Sequence, residues 1–301
     1  MKVLVFGANG YLGRHFVREL LKKNDIEISG SDIQENSVFL DEIKFCQMDL
    51  TSLDKLKKFD FSVFEVIYYF SGITGTKDSF DNFSKYIEVN QVGLLNLLSI
   101  IAKFKKKPLI VFPSTRLVYK GIKNKSICER SEKEFKTIYG LSKYSGEQYL
   151  KMYNNLYQIP YIIVRICIPY GNLFKGAYSY GTVGFFMRQA KLNKKITVYG
   201  AGSLKRTFTH VGDICNQIYK LTEIKLSYNN TFNISGEALS LKQVAEPIAS
   251  KYKASISYLP WPKDDLLLES GDTVFNSAKI ENTLNEKLKY SFISWLSENT
   301  Q

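Results

Sequence analysis

Tyr139-Gly140-Leu141-Ser142-Lys143 sets a phenol and an ammonium four residues apart. On a helix that spacing places both on one face, one turn apart. A free phenol titrates near pH ~10 and is a poor base at neutrality. A neighbouring ammonium stabilises the phenolate and lowers that value. The pair suits moving a proton on a sugar or alcohol hydroxyl while hydride passes to a nicotinamide. Alone the pattern says little, because the chain has 20 tyrosines and is rich in lysine. Ser114 and Thr115 add context. They follow Pro108–Phe112, read as a strand, so their hydroxyls fall at a sheet edge, where they either orient a substrate oxygen for Tyr139 or cap a turn.

A second group supplies the redox partner. Lys2–Phe6 is a short run of β-branched and aromatic residues, read as a strand buried on both faces. Gly7-Ala8-Asn9-Gly10-Tyr11-Leu12-Gly13 follows, then a helix whose Phe16, Val17, Leu20 and Leu21 recur at helical spacing. A second strand from Ile26 ends at Asp32. Gly7 permits a sharp turn, Gly10 leaves bare backbone for a pyrophosphate, and Gly13 lets the helix press on the strand. The helix N-terminus then offers unpaired N–H groups to phosphate. An acid about 20 residues on completes a dinucleotide-binding pattern. Asp32 accepts from the adenosine ribose and repels a 2′-phosphate, so NAD is favoured; Arg14, close by in sequence, leaves NADP open.

Elsewhere strands at Lys44–Gln47, Glu65–Phe70 and Pro108–Phe112, and a sixth at Tyr161–Ile168, alternate with helices at Leu53–Phe59, Tyr86–Phe104 and Ile138–Tyr157. That alternation predicts an α/β fold with a doubly wound parallel Rossmann sheet over residues 1–170. Residues 171–301 are expected to form mainly a smaller, irregular substrate-binding lobe, with segments around 205–225 returning to the sheet. In that half, 176–184 reads as loop, Thr197–Gly202 as strand and turn, and Leu241–Tyr252 as a helix despite Pro247. A last helix is read near Asn285–Ser297.

The 301 residues are 45% hydrophobic, enough for one large domain or one domain with a smaller partner. The longest apolar runs are strand-sized, far below the roughly 18 residues of a spanning helix, and the N-terminal run enters the glycine turn directly. No membrane insertion or signal peptide is expected, and the location read from the sequence is cytoplasmic. Cys46, Cys128, Cys167 and Cys215 contain no C-x-x-C pair and fit buried thiols; no metal site is expected. The net charge of +12 is spread over the chain. Its one run, Lys105-Lys106-Lys107, ends a helix, where cations complement the dipole. No nucleic-acid motif accompanies it; the charge suits an anionic small substrate.

Taken together, Gly7-x-x-Gly10-x-x-Gly13, Asp32, Asp49-Leu50, Ser71-Gly72, Asn90, Ser114-Thr115-x-x-Val118-Tyr119, Tyr139-x-x-x-Lys143, Arg165 before Tyr170-Gly171, and Arg206-x-Phe208-x-His210-Val211-x-Asp213 give a pattern spanning nearly the whole chain. It resembles the extended short-chain dehydrogenase/reductase family, specifically its nucleotide-sugar epimerases, dehydratases and 4-keto reductases. The resemblance implies Tyr139 as acid/base, Lys143 as its tuner and holder of the nicotinamide ribose, and Thr115, aided by Ser114, on the reacting oxygen. It implies an NAD site made by Gly7, Asn9, Gly10, Tyr11, Leu12, Gly13, Asp32, Ile33, Asp49, Leu50, Phe70, Ser71, Gly72, Asn90, Tyr139 and Lys143. It implies a nucleotide-sugar substrate held by Thr74, Thr115, Asn172 and Arg206. His210 and Asp213 look structural. A homodimer through Tyr86–Phe104 and Ile138–Tyr157 is expected by the same analogy.

Three departures narrow the expectation. Arg116 and Leu117 stand where family dehydratases carry an acidic pair, so 4,6-dehydration ranks last. Ile168 replaces a substrate-binding asparagine, shifting that task to Asn172. Lys120 replaces a common glycine. A C4 epimerase is the leading reading, with a 4-keto-6-deoxyhexose reductase beside it and a non-catalytic cofactor-sensing relative well behind.

Overall fold

The computed structural model describes residues 1–174 and 180–298. Seven parallel strands form its centre. They are β1 (Lys2–Phe6), β2 (Glu27–Asp32), β3 (Lys44–Gln47), β4 (Val66–Tyr69), β5 (Leu109–Thr115), β7 (Tyr161–Ile166) and β11 (Asn230–Asn233). The remaining strands are β6 (Ser126–Ile127), β8 (Ile168–Tyr170), β9 (Ile196–Tyr199), β10 (Lys205–His210), β12 (Glu237–Ser240), β13 (Ile256–Leu259) and β14 (Val274–Phe275). The large sheet runs β11-β7-β5-β4-β1-β2-β3. The order reverses between β1 and β4, and a cleft opens there at the strand C-termini. β4, β5 and β7 are buried along their whole length, as their near-continuous apolar sequences require.

One face of the sheet is covered by the helices Tyr11–Leu20 and Val211–Glu223, whose Phe16, Val17, Ile214 and Ile218 join one core with Val3, Val5 and Val111. The other is covered by Gly93–Ile101 and Ile138–Tyr157, with Leu94, Leu97, Leu98 and Leu150 packed on Ile67, Ile110 and Phe112. Residues 211–234 thus belong to the sheet side although they follow part of the lobe. The lobe is built on β8, β10 and β12, a parallel β9–β13 pair, and the helices Gly181–Lys191 and Leu241–Tyr252.

Several sequence boundaries change. The single helix expected over 86–104 is three pieces. Phe83–Ile87 leads into a π-helical turn, Glu88–Val92, before Gly93–Ile101. The wider turn carries Asn90, whose Oδ1 accepts from the Ile73 N–H (2.9 Å) and whose Nδ2 donates to the Ile73 carbonyl (3.0 Å). The loop after β4 competes for the geometry of this helix and wins locally. The sixth strand stops at Ile166, and Ile168–Tyr170 crosses to the lobe sheet beside β10. Of the loop expected over 176–184, residues 176–179 lie outside the described residues. Gly181–Lys191 is helical because Val183, Phe186, Met187 and Ala190 repeat at the spacing of a buried face. The last helix is shorter than expected, Phe292–Glu298, and a separate helix, Ala278–Leu284, ends in a left-handed Asn285. The lysine run caps a helix end: Lys107 Nζ donates to the Ala102 carbonyl at 2.6 Å.

The helix Ile138–Tyr157 has an unusual buried face: Gly140, Ser142, Lys143, Gly146 and Glu147 precede the one large apolar residue, Leu150. Gly146 is needed because a Cβ there would meet the Phe112 ring at 2.7 Å. Glu147 is fully buried and accepts from Ser114 Oγ (2.5 Å) on β5 and, in a two-pronged pair, from Arg165 Nε (2.9 Å) and Nη2 (2.5 Å) on β7. Arg165 also donates to Tyr119 Oη (2.6 Å), which donates to Asn233 Oδ1 (2.7 Å) on β11. Removing one partner leaves the other charge buried and unpaired. Glu147→Ala is expected to lower unfolding free energy by about 3–5 kcal/mol in urea titration, whereas Glu132→Ala, an exposed pair with Lys120, is expected to cost under about 1 kcal/mol.

Candidate active site

Tyr139 lies in the first turn of its helix, fixed by the Thr137 N-cap, whose Oγ1 accepts from the Gly140 N–H at 2.9 Å. The Thr115 hydroxyl at the end of β5 lies near enough to its phenol to favour the phenolate, so the two residues expected to share one substrate oxygen stand together. Thr115 Oγ1 also accepts from the Leu117 N–H at 3.2 Å. Ser114 is different: its proton is committed to Glu147, so it braces the β5 end from behind. Asn90 Nδ2 donates to Ser142 Oγ at 3.2 Å, tying the loop after β4 to the same helix, one residue from Lys143.

The electrostatics reverse the expected direction for the phenol. Burial raises the Tyr139 pKa, the nearby Tyr180 and Tyr86 phenols raise it further, and the Thr115 hydroxyl offsets only part. Burial likewise pushes Lys143 down to about 7, against the opposing charge of Glu147. Desolvation outweighs pairwise attraction in this dry pocket. Among the described residues Lys143 Nζ has no hydrogen-bond partner; it sits over the Phe112 ring, 4.0 Å from the centroid.

The glycine turn has the shape the sequence implied. Gly7 adopts φ +71°, and a Cβ there would meet Phe70 and Ser71 backbone at 2.8 Å. A Cβ on Gly13 would lie 2.0 Å from the Gly7 carbonyl oxygen, so the helix presses directly on the turn. A cavity of about 340 Å³ opens over it, and Gly7, Asn9, Gly10, Asp32, Ile33, Asp49, Leu50, Phe70, Ser71 and Gly72 line it. Asp32 Oδ2 accepts from the Asn9 N–H (3.0 Å) and Oδ1 from the Gln34 N–H (3.2 Å). The Asn9 side chain turns away, donating to the Asn36 carbonyl at 2.8 Å. Tyr11, Leu12 and Gly13 belong to the helix under the turn, and Asn90 stands behind Gly72. Arg14 packs over Phe174 and is not part of the cavity wall, so the cation that left NADP open points elsewhere. The bare glycine cradle and the partnerless Lys143 fit a dinucleotide with a ribose near the helix Ile138–Tyr157.

A second cavity of about 350 Å³ lies in the lobe, walled by Phe185, Val198, Tyr199 and Trp261 and by the charged Arg116, Arg206 and Glu269. Arg206 is 2% exposed. Thr74 partners Tyr180, which stacks on Tyr11 at 4.1 Å and so joins lobe to turn. Asn172 goes elsewhere: its Oδ1 pairs with His15 Nε2 (2.7 Å) and accepts from the Phe174 N–H (3.1 Å), anchoring a loop on the helix Tyr11–Leu20. His210 caps the helix Val211–Glu223 through the Gly212 N–H (3.1 Å), and Asp213 holds the Lys289 and Tyr290 N–H groups, both structural uses.

Sequence reading missed Glu147, Arg116, Glu269, Tyr199 and Trp261. Glu147 was recoverable, being four residues past Lys143 on the same face. Arg116 registered only as a missing carboxylate. Glu269 and Trp261 carry no local signal, because only the lobe's tertiary fold brings them to Arg206.

A glycine-cradled cleft at the switch point of a parallel sheet, with a tyrosine, lysine and threonine at its mouth, defines a nicotinamide-dependent oxidoreductase of the extended short-chain dehydrogenase type. The chain belongs to the NAD dependent epimerase/dehydratase family, whose model matches residues 3–235. It is 27% identical to an uncharacterized UDP-glucose epimerase, YtcB, of Bacillus subtilis over 95% of this chain and 92% of the relative. It is 26% identical to a UDP-N-acetyl-alpha-D-glucosaminuronate decarboxylase of Bacillus cytotoxicus over 87% of this chain and 84% of that one. Its fold matches that of a UDP-glucuronic acid 4-epimerase from Bacillus cereus solved with UDP-glucuronic acid and NAD, at TM-score 0.83 and 24% identity over 99% and 97% of the two chains. It also matches a UDP-glucose 4-epimerase of Thermus thermophilus solved with NAD, at TM-score 0.84 and 22% identity over 98% and 96%.

Lys143 gives a checkable pH dependence. Its folded value, about 7, lies below the unfolded 10.5, so between those values the unfolded chain binds more protons and stability rises with pH. The ligand-free protein is expected to gain up to about 1.4 kcal/mol per pH unit from this group across pH 7–9. The difference in melting between the native chain and Lys143→Met should shrink over that window; a constant difference contradicts the assignment.

Proposed function

We propose that this enzyme interconverts the C4 configuration of a nucleotide-activated hexose with NAD held in the glycine-lined cleft. The observation that carries the reading is the glycine-lined cradle at the strand C-termini, with Tyr139 beside Thr115 at the end of β5 and an arginine-bearing cavity that begins at the next residue, Arg116. The names of the epimerase relatives support it.

Gly7, Gly10 and Gly13 would bring backbone N–H groups against the pyrophosphate, Asp32 would take the adenosine ribose, and Asp49 and Leu50 would flank adenine. Lys143 Nζ would take the nicotinamide ribose. Bound NAD supplies a reversible hydride acceptor. Tyr139 takes the proton of the C4 hydroxyl as the ketone forms and returns it when the opposite face is reduced, and Thr115 holds that oxygen throughout. The raised phenol pKa of the ligand-free site fits this cycle only if the positive nicotinamide ring and a charged Lys143 lower it in the complex. Tyr199, Trp261 and Phe185 offer a base-sized apolar slot, and Arg206 a diphosphate contact. With Arg116 and Leu117 after Thr115, no carboxylate stands there to carry the proton of a dehydration. All four cysteines are free thiols, in keeping with a cytoplasmic setting.

Tyr139→Phe is expected to lower kcat at least ~100-fold while leaving NAD binding intact. Heat-denatured protein is expected to release about one equivalent of NAD; consumption of external reduced cofactor by a 4-keto sugar, without bound NAD, would mark a reductase instead.

The homodimer reading rests on exposed apolar side chains along one helix pair: Met152 (60% exposed) and Leu156 (71%) with Leu141, and Phe83, Ile87 and Val92 opposite. Two such pairs would make a four-helix interface. Light scattering should show a dimer that Met152→Glu with Leu156→Glu converts to monomer.

A further inference from the structure

We propose that Glu269 is an internal anion that occupies Arg206 until the substrate's diphosphate displaces it, and that Arg116 is the second cation of that diphosphate site. The inference rests on the reading of the lobe cavity as the nucleotide-sugar site. It adds a built-in competitor and a second binding residue.

Arg116, Arg206 and Glu269 wall the same cavity. Arg206 donates to the Glu269 carboxylate and to the Lys205 (2.9 Å) and Gly271 carbonyls. Its side chain is 3% exposed, against 14% for Glu269. The guanidinium is therefore poorly hydrated and is stabilised by a nearby anion, while the more exposed carboxylate has a way out. Exchanging Glu269 for a phosphate leaves no buried charge unpaired at either end of the exchange.

Arg116 is held differently. Its Nη1 donates to Ser270 Oγ at 3.1 Å, a neutral partner. Two guanidinium groups thus face one carboxylate, leaving the cavity with one uncompensated positive charge. The two cations feel each other: burial first, then the Arg116 charge, brings Arg206 down to about 10. A diphosphate has charge enough for both, and two arginines can each grip it through paired N–H donors.

The anion and Arg116's neutral partner sit on one short loop, Glu269-Ser270-Gly271. Gly271 adopts φ +84°, and the Glu269 carbonyl is pinned by Lys136 Nζ at 2.9 Å. A Cβ on Gly121 would lie 1.9 Å from the Ser270 carbonyl oxygen, so the loop backbone is seated firmly. The exchange therefore needs a rotation of the Glu269 side chain, which also releases the Gly271 N–H that its Oε1 accepts at 3.1 Å. Arg116 directly follows Thr115 in the chain, so the two share one end of β5.

The test is calorimetric titration of the full chain, loaded with NAD, with UDP and dTDP, using uridine and thymidine as uncharged controls. Glu269→Gln is expected to bind the preferred diphosphate ~10-fold more tightly with nucleoside affinity unchanged, and to melt lower without ligand but show a larger diphosphate-induced rise. Glu269→Asp, whose shorter arm cannot span to Arg206, should shift affinity the same way and stands in if the glutamine variant does not fold. Arg116→Gln is expected to bind the diphosphate ~10-fold more weakly with nucleoside affinity unchanged. Equal or weaker diphosphate binding by both Glu269 variants overturns the gate, and unchanged binding by Arg116→Gln overturns the second cation. Failure of the native chain to bind either diphosphate overturns the nucleotide-sugar reading itself.

Discussion

The Glu147 carboxylate, held by Arg165 and Ser114, is the interaction on which the site depends. The helix Ile138–Tyr157 lays a polar face on β5, where an ordinary helix would lay leucines. That is tolerable because the one carboxylate on the face, Glu147, meets partners from two neighbouring strands. Glu147 takes both prongs of Arg165, Ser114 completes its shell, and Tyr119 carries the network to Asn233. Lys143, one turn before, feels the same carboxylate as an opposing charge that keeps it from being wholly neutralised by burial. The position of Tyr139 against Thr115 follows from this packing.

A second constraint is closeness of backbones. Gly13 lies against the Gly7 carbonyl, Gly146 against Phe112, and Gly121 against the Ser270 carbonyl. Each contact fixes one wall: the dinucleotide turn, the helix Ile138–Tyr157 and the loop carrying Glu269. Side chains at these positions would open the walls by a few ångströms, more than hydrogen-bonded catalysis tolerates.

The sheet was legible because buried parallel strands read as unbroken apolar runs, and the glycine turn because each glycine answers a local steric demand. Helix interruptions were not. Nothing in Tyr86–Phe104 announces a π turn, since its cause is the loop at Ile73 reaching for Asn90 across the chain. Asn172 read as a substrate group because Ile168 stands where relatives carry a substrate-binding asparagine, but His15, itself buried, claims it. The expected lowering of the Tyr139 pKa also reversed, because sequence spacing conveys which charges are near and not how dry their surroundings are. The lobe cavity was least legible: Arg116, Arg206 and Glu269 are far apart in the chain, and only folding shows that they share one wall.

The chain passes between sheet and lobe with almost no slack. A single residue, Cys167, separates β7 from β8, and β10 runs straight into the helix Val211–Glu223. Neither of these two crossings has a linker, and Tyr11 stacked on Tyr180 fastens a further point. The short crossings therefore couple the lobe's position to β7 and to the helix Val211–Glu223, so a displacement of one strains the other.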